Sequence, residues 1–269
     1  MTWNTSGRLA RIFLVVFTVA VLIYLIMPTF VIVPMSFSSK SYLSFPPPGW
    51  SLQWYQTMME RHDYPQAFWN SIKIGVPVAL LSTTLGTLAA LGVVRGRFFG
   101  SRPMSAVVIA PLMLPQIILA IGLYPIMAKF GLAGSYPGVV IGHTVICIPL
   151  VFITVAASLK NYHPAYEYAA MTLGANWWQT FWHVTFPMIR VGVIVGGILA
   201  FTFSFDELII ALFLTSPETR TLPRLLWEDL RQYVTPIIAS ATTLVLCISF
   251  ILFGAVALLQ RHLSKATRS

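Results

Sequence analysis

Two carboxylates stand side by side inside an apolar stretch. Asp206 and Glu207 are the only Asp, Glu, Lys or Arg residues between Arg190 and Glu218. An acid at membrane depth costs about 2.5–3.5 kcal/mol on insertion scales, so such a residue faces a cavity or a partner. Neighbouring positions on a helix point about 100° apart, so the two cannot share one narrow path. Asp206 is assigned to a translocation path, where a cationic substrate would favour its ionised form. Glu207 is assigned to the same region in a helix-packing or subunit-interface role. Phe203 and Phe205, with Phe201, are placed to offer ring faces to an ammonium group. A structural hydrogen bond to a neighbouring helix is the alternative for the acids, and core packing is the alternative for each ring.

No other constellation of reactive residues competes with that pair. The chain holds no Gly-x-x-x-x-Gly-Lys-Ser/Thr nucleotide loop and no Gly-x-Ser-x-Gly nucleophile motif. Its histidines, at positions 62, 143, 163, 183 and 262, lack metal-ligand spacing. His143 falls in an apolar run and is expected to make an interhelical hydrogen bond. Cys147 and Cys247 also fall in apolar runs and are expected to pack in the core. No catalytic residue, metal or resident cofactor is therefore expected, and the energy source should lie in another chain.

The elements that position these residues follow from composition. Hydrophobic residues make up 57% of the chain, charged residues 9%, and the mean hydropathy is +0.78. Soluble domains carry roughly 25% charged residues, so this chain uses lipid as its solvent. The net charge of +9 is spread in ones and twos at the ends of apolar runs, as topology demands, and not massed as a nucleic-acid patch. A crossing helix needs about 20 apolar residues. Six spans are predicted, at about 12–35, 70–94, 104–128, 137–159, 189–214 and 236–260, within a single domain, 1–269. Another charge-free run, 168–189, carries Thr172, Asn176, Gln179, Thr180, His183 and Thr185. Those groups are costly in lipid, so the segment 161–187 is read as short helices outside the bilayer.

Six spans divide the basic residues unevenly. Arg8, Arg11, Arg95, Arg97, Arg102, Lys160, Arg190, Arg261, Lys265 and Arg268 fall on one side. Lys40, Arg61, Lys73, Lys129, Arg220, Arg224 and Arg231 fall on the other, with all the loop acids except Glu167. The positive-inside rule then puts both termini in the cytoplasm. The first span is too long for a cleaved leader and should remain a membrane helix. On the outer side, Ser51 is expected to cap a short surface helix after the prolines at 46–48, and Leu225, Leu226, Trp227 and Leu230 share one face of a second.

Residues 167–187 then carry a spacing with a known counterpart. Tyr168-Ala169-Ala170, three residues, Gly174, nine residues, and Val184-Thr185-Phe186-Pro187 reproduce the spacing E-A-A, three, G, nine, I-x-L-P. This resembles the cytoplasmic coupling motif of permease subunits from binding-protein-dependent ABC importers. Tyr168 stands where the motif has glutamate, which leaves Glu167, one residue earlier, to supply the acid. The segment Leu199 to Leu208, with Thr221-Leu222-Pro223 and Val234-Thr235-Pro236, is similar to the C-type subunits of spermidine/putrescine permeases.

The resemblance implies an all-α type I importer fold with a cytoplasmic coupling helix, in a bacterial inner membrane. It implies a heterodimer with a second permease subunit, two ATPase subunits holding ATP and Mg, and a periplasmic binding protein. The residues it marks for ATPase coupling are Glu167, Tyr168, Ala169, Ala170, Gly174, Ala175 and Pro187. Gly174 suits a turn at positive φ, and Pro187 suits the first turn of a helix. The expected cargo is a polyamine or related amine. Competing readings are a permease for an amino-acid-like compound, a secondary transporter, which would need ion-coupling groups and usually an internal repeat, and a membrane enzyme, which would need a nucleophile or metal cluster.

Overall fold

Among the described residues, prolines and polar residues cut the apolar runs into twelve α-helices and one π-helical turn. The structure is a computed structural model that describes residues 5–96, 100–232 and 235–266, without the side chains of 5–9, 102 and 259–266. The expectations for Arg97, Val234 and Arg268, and for the side chains of Arg8, Arg102, Arg261 and Lys265, fall outside the described residues. The helices are α1 (Thr5–Met35), α2 (Gln53–Glu60), α3 (Asp63–Arg95), α4 (Ser101–Met113), α5 (Gln116–Lys129) and α6 (Tyr136–Lys160). They continue with α7 (Ala165–Thr172), α8 (Trp177–Thr180), α9 (Phe186–Phe205), α10 (Ile209–Leu214), α11 (Leu222–Gln232) and α12 (Pro236–Ala266). Among the described residues there is no strand, only two isolated bridges, Ser38 with Trp50 and Gly134 with Thr215.

Among the described residues, five helices are long and apolar enough to cross a membrane: Ala10–Met35, Asp63–Arg95, Tyr136–Lys160, Trp177–Phe205 and Pro236–Leu258. The predicted third span, 104–128, is not one straight crossing. It is α4 and α5, bent by 100° at Leu114 and Pro115, and six spans result if that pair counts as one. Pro115 has no N–H to continue the helix and forces Leu114 into an extended conformation (φ −84°, ψ 138°). The fifth span also differs from expectation. Residues 177–185 do not form a separate short helix but run on into α9 through the π-helical turn Phe181–Thr185. Pro187 cannot donate to the carbonyl one turn back, and the ladder widens ahead of it, with Phe186 N–H bonding to Phe181 O.

The chain forms two compact units. One comprises Met1–Arg61 and Glu228–Cys247. In it the apolar window of α1 buries none of its residues against the chain. Ser36 is fully buried, its hydroxyl 2.7 Å from the Tyr55 hydroxyl and its carbonyl accepting from Ser240 Oγ at 3.1 Å. Trp54 Nε1 donates to Ser38 O at 2.8 Å, so the segment between α1 and α2 is pinned at both ends. Ser51 lies one residue before the position expected of it: its hydroxyl accepts from Gln53 N at 3.1 Å, while Leu52 occupies the N-cap. Cys247 is exposed on α12, not packed in the core.

The other unit comprises His62–Trp227 and Ile248–Ser269, and its core is α3, α6 and α9. Ile74, Val78, Ile146, Val151, Val155, Leu159 and Ile189 fill the space between them. Cys147 is buried there, Sγ 3.5 Å from Ala200 O. Gly192 and Gly196 let α9 approach α6: a Cβ on Gly196 would lie 3.0 Å from Val151 Cα, and one on Gly192 would lie 2.7 Å from Thr154 O. Small residues four apart are the usual device for close helix contact in lipid.

Candidate functional site

Asp206 and Glu207 do not sit on a continuous helix. α9 ends at Phe205, Asp206 takes φ −96° and ψ 1°, and α10 begins at Ile209. The side chain of Glu207 explains the break. Its Oε1 accepts from Ile210 N at 2.9 Å and its Oε2 from Ala211 N at 3.1 Å. It thereby satisfies N–H groups that open α10, which have no partner within the helix. On its other side, Glu207 Oε2 lies 3.2 Å from His143 Nε2, and His143 Nδ1 lies 2.9 Å from Ser204 Oγ. Ser204, His143 and Glu207 have the residue types of a nucleophilic triad. All three are buried, Glu207 at 4% exposure and His143 at 0%, so no substrate reaches them.

Glu207 and Phe205 are both buried inside their unit. Glu207 accepts from two main-chain N–H groups of α10 and lies beside His143 of α6. Phe205 is 1% exposed, edge-on to Phe68 at 6.0 Å and stacked on Phe201 at 5.8 Å, so its faces are covered. Phe203 is half-buried against the core. Asp206 is exposed. The break thus divides two adjacent acids into an internal tie and a presented carboxylate.

The segment 161–187 shows the same division. α7 ends in a Schellman turn: Gly174 N donates to Met171 O and Ala175 N to Ala170 O, both at 3.0 Å. Gly174 holds φ +92°, a region that penalises any side chain. Asn176 then opens the next helix with a reciprocal cap, its Oδ1 accepting from Gln179 N and its N donating to Gln179 Oε1, each at 2.9 Å. Tyr168 is 50% exposed and Leu173 89%, and Tyr166, Ala169, Met171, Trp177, Trp178 and Trp182 are exposed with them. Trp177, Trp178, Phe181, Trp182 and Phe186 form a run of ring contacts with centroids 5.1 to 6.2 Å apart. Pro187 opens α9 and is exposed.

Glu167 does not join that outward face. Its Oε1 accepts from Arg95 Nε at 3.2 Å, from Thr185 Oγ1 at 3.0 Å and from the Tyr162 hydroxyl. Burial, and then the hydrogen bond to Glu167, push the Tyr162 phenol above its usual range, so it remains a donor at physiological pH. Sequence reasoning missed Arg95 and Tyr162 as its partners, and Ser204 as the partner of His143. It also missed Asn70, which is buried and pins the loop between α10 and α11. Asn70 Nδ2 donates to Glu218 O and Arg220 O, each at 2.9 Å, and its Oδ1 accepts from the Tyr136 hydroxyl at 2.6 Å. A buried amide at the start of an apolar run was the available clue.

These features define a multi-pass membrane protein that ties its helices together with buried polar groups and presents one carboxylate at a break in a span. Comparison with known proteins gives its family. The chain belongs to the family described as "Binding-protein-dependent transport system inner membrane component", whose profile matches residues 82–268. It is 33% identical over 230 residues to the putrescine transport system permease protein PotI of Escherichia coli (strain K12), covering 83% of this chain and 82% of that one. It is 27% identical over 249 residues to the spermidine/putrescine transport system permease protein PotC of the same strain, covering 93% and 94%. In fold it is similar to a chain of a bacterial ABC transporter involved in the import of the polysaccharide alginate, with TM-score 0.77 and 16% identity, covering 96% and 98%. The protein is a permease subunit of an ABC importer, with ATP hydrolysis in a separate subunit.

Proposed function

We propose that this permease moves a cationic amine of the polyamine class, that Asp206 offers the carboxylate the amine passes, and that the segment 161–187 docks on a partner ATPase. The exposed Asp206 beside a buried, fully engaged Glu207 carries the reading. An exposed acid at membrane depth needs a polar path or partner, and the permeases named above for putrescine and spermidine supply the cargo class. In the working assembly a binding protein delivers the amine on the periplasmic side to this chain and a second, different permease subunit. Two ATPase subunits bind ATP and Mg. Both termini and the segment 161–187 lie in the cytoplasm of a bacterial cell. ATP binding shifts the population between two packings of the spans, and the exposed aromatic face of α7 and α8 receives the push.

The test is uptake of labelled putrescine at limiting concentration by cells expressing wild type or Asp206→Asn at matched membrane levels. Removing one charge-assisted contact should lower uptake roughly tenfold, while the variant still co-purifies with its partners. Equal uptake would take Asp206 out of the path.

A further inference from the structure

We infer that Glu167 is a positioning residue that carries movement of α7 into the membrane helices, and is not itself a contact with the ATPase. The inference rests on the docking of the segment 161–187 proposed above.

One oxygen atom gathers the relevant elements. Glu167 Oε1 takes donors from the last residue of α3 (Arg95), from the turn after α6 (Tyr162) and from the end of the π-helical turn that leads into α9 (Thr185). Arg95 extends the junction: its Nη2 donates to Leu159 O at 2.9 Å, and its guanidinium lies over the Tyr162 ring at 4.5 Å. The three helices joined in this way, α3, α6 and α9, are the core of their unit. Apolar packing gives α7 no comparable hold, because it buries none of its residues. Beside the junction is a cavity of about 380 Å³, lined by Gly92, Arg95, Glu167, Trp177, Thr180 and Thr185. A helix that borders a cavity and meets three core helices at the side chain of Glu167 passes force through that junction. Charge-assisted hydrogen bonds of this kind are roughly twice as strong as neutral ones. Without them α7 rocks into the cavity when the ATPase moves, and the spans do not follow.

The division of labour also accounts for the sequence. The motif's glutamate position holds Tyr168, which points outward, while the acid one residue earlier points inward. Glu167 thus does not replace the missing outward acid; the outward face is aromatic.

The experiment uses the full complex with its ATPase and binding protein in proteoliposomes. Three quantities are read: ATPase retained on purification, ATP hydrolysed, and putrescine taken up per ATP. Glu167→Gln should keep the ATPase and hydrolyse ATP, while uptake per ATP falls roughly tenfold. Arg95→Ala should uncouple to a similar degree, and the double variant should be little worse than either single one, because both break the same junction. Tyr162→Phe removes one donor and keeps the ring, so it should fold and uncouple by only about twofold. Unchanged uptake per ATP in all three variants, or additive losses in the double, would overturn the role of Glu167. So would loss of the ATPase from Glu167→Gln at intact folding, since that is the signature of a direct contact. Cross-linking from Asn176→Cys to the ATPase reads the docking separately. If no cross-link forms in the functioning complex, the docking reading fails; if it forms while uptake per ATP stays unchanged, only the role of Glu167 fails.

Discussion

Glu167 and Glu207 are the same side chain placed in opposite surroundings. Each sits at a helix junction and gathers donors from several elements, and each stands beside a residue that faces outward, Tyr168 in one case and Asp206 in the other. Glu167 works at the aqueous end of a span, its side chain 13% exposed and its main partner an arginine. Glu207 works in the apolar interior, its partners two main-chain N–H groups and a fully buried histidine. Where water can reach, losing the tie costs position; where it cannot, losing the tie strands polar groups in a medium that offers no replacement. One arrangement therefore serves motion at the edge of the protein and architecture at its centre.

The largest effect expected from this contrast is at Glu207. Glu207→Ala removes the carboxylate beside His143 and uncaps two buried N–H groups, and each buried polar group left unsatisfied costs about 1–3 kcal/mol. The variant should be degraded or fail to assemble, as read by membrane-fraction immunoblot and thermal melting in detergent. Stable, active Glu207→Ala would erase the distinction between the two glutamates. Gly174→Val comes next. Nothing lies within 4 Å of a Cβ at that position, so the cost is conformational, about 1–2 kcal/mol for holding a side chain in the left-handed region. The permease should reach the membrane normally but retain less ATPase on co-purification, and full retention with normal uptake would remove the Schellman turn from the docking surface. The smallest effect on stability is expected at Asp206, which is exposed and outside the ties. Asp206→Asn should shift unfolding by no more than about 0.5 kcal/mol. A large loss of stability there would mean that Asp206, like Glu207, is architectural.

What could be seen in the sequence was set by the range of the interactions. Apolar runs expose five spans directly, and Gly174 and Asn176 announce the turn and the cap between α7 and α8, because those signals are local. The bend of the third span was present in Pro115, but a count of apolar residues does not register direction. The polar residues of 177–185 argue against a continuous membrane helix. In the structure the helix continues, and the Thr185 hydroxyl is satisfied by Glu167. The inward turn of Glu167 depends on Arg95, 72 residues away, and the placement of His143 on Ser204, 61 residues away. No local pattern encodes those pairings. Pattern did separate Asp206 from Glu207, since two adjacent helical positions diverge, but the structural cause is a break in the helix and not its periodicity.

The wide turn at Phe181–Thr185 has a consequence for how the two ends of this span are aligned. A π-helical turn accommodates one residue more than an α-helix would, and each α-helical residue advances the chain by about 100° around the axis. The extra residue sets the azimuth of Trp177 and Trp178 relative to everything beyond Pro187. A chain shorter by one residue here would keep its composition, its caps and its spans, yet point its tryptophans about 100° around the cylinder. The turn acts as a fixed phase offset between an exposed aromatic surface and a helix made for the membrane, so single-residue insertions and deletions in 181–185 should be tolerated far less than substitutions at the same positions.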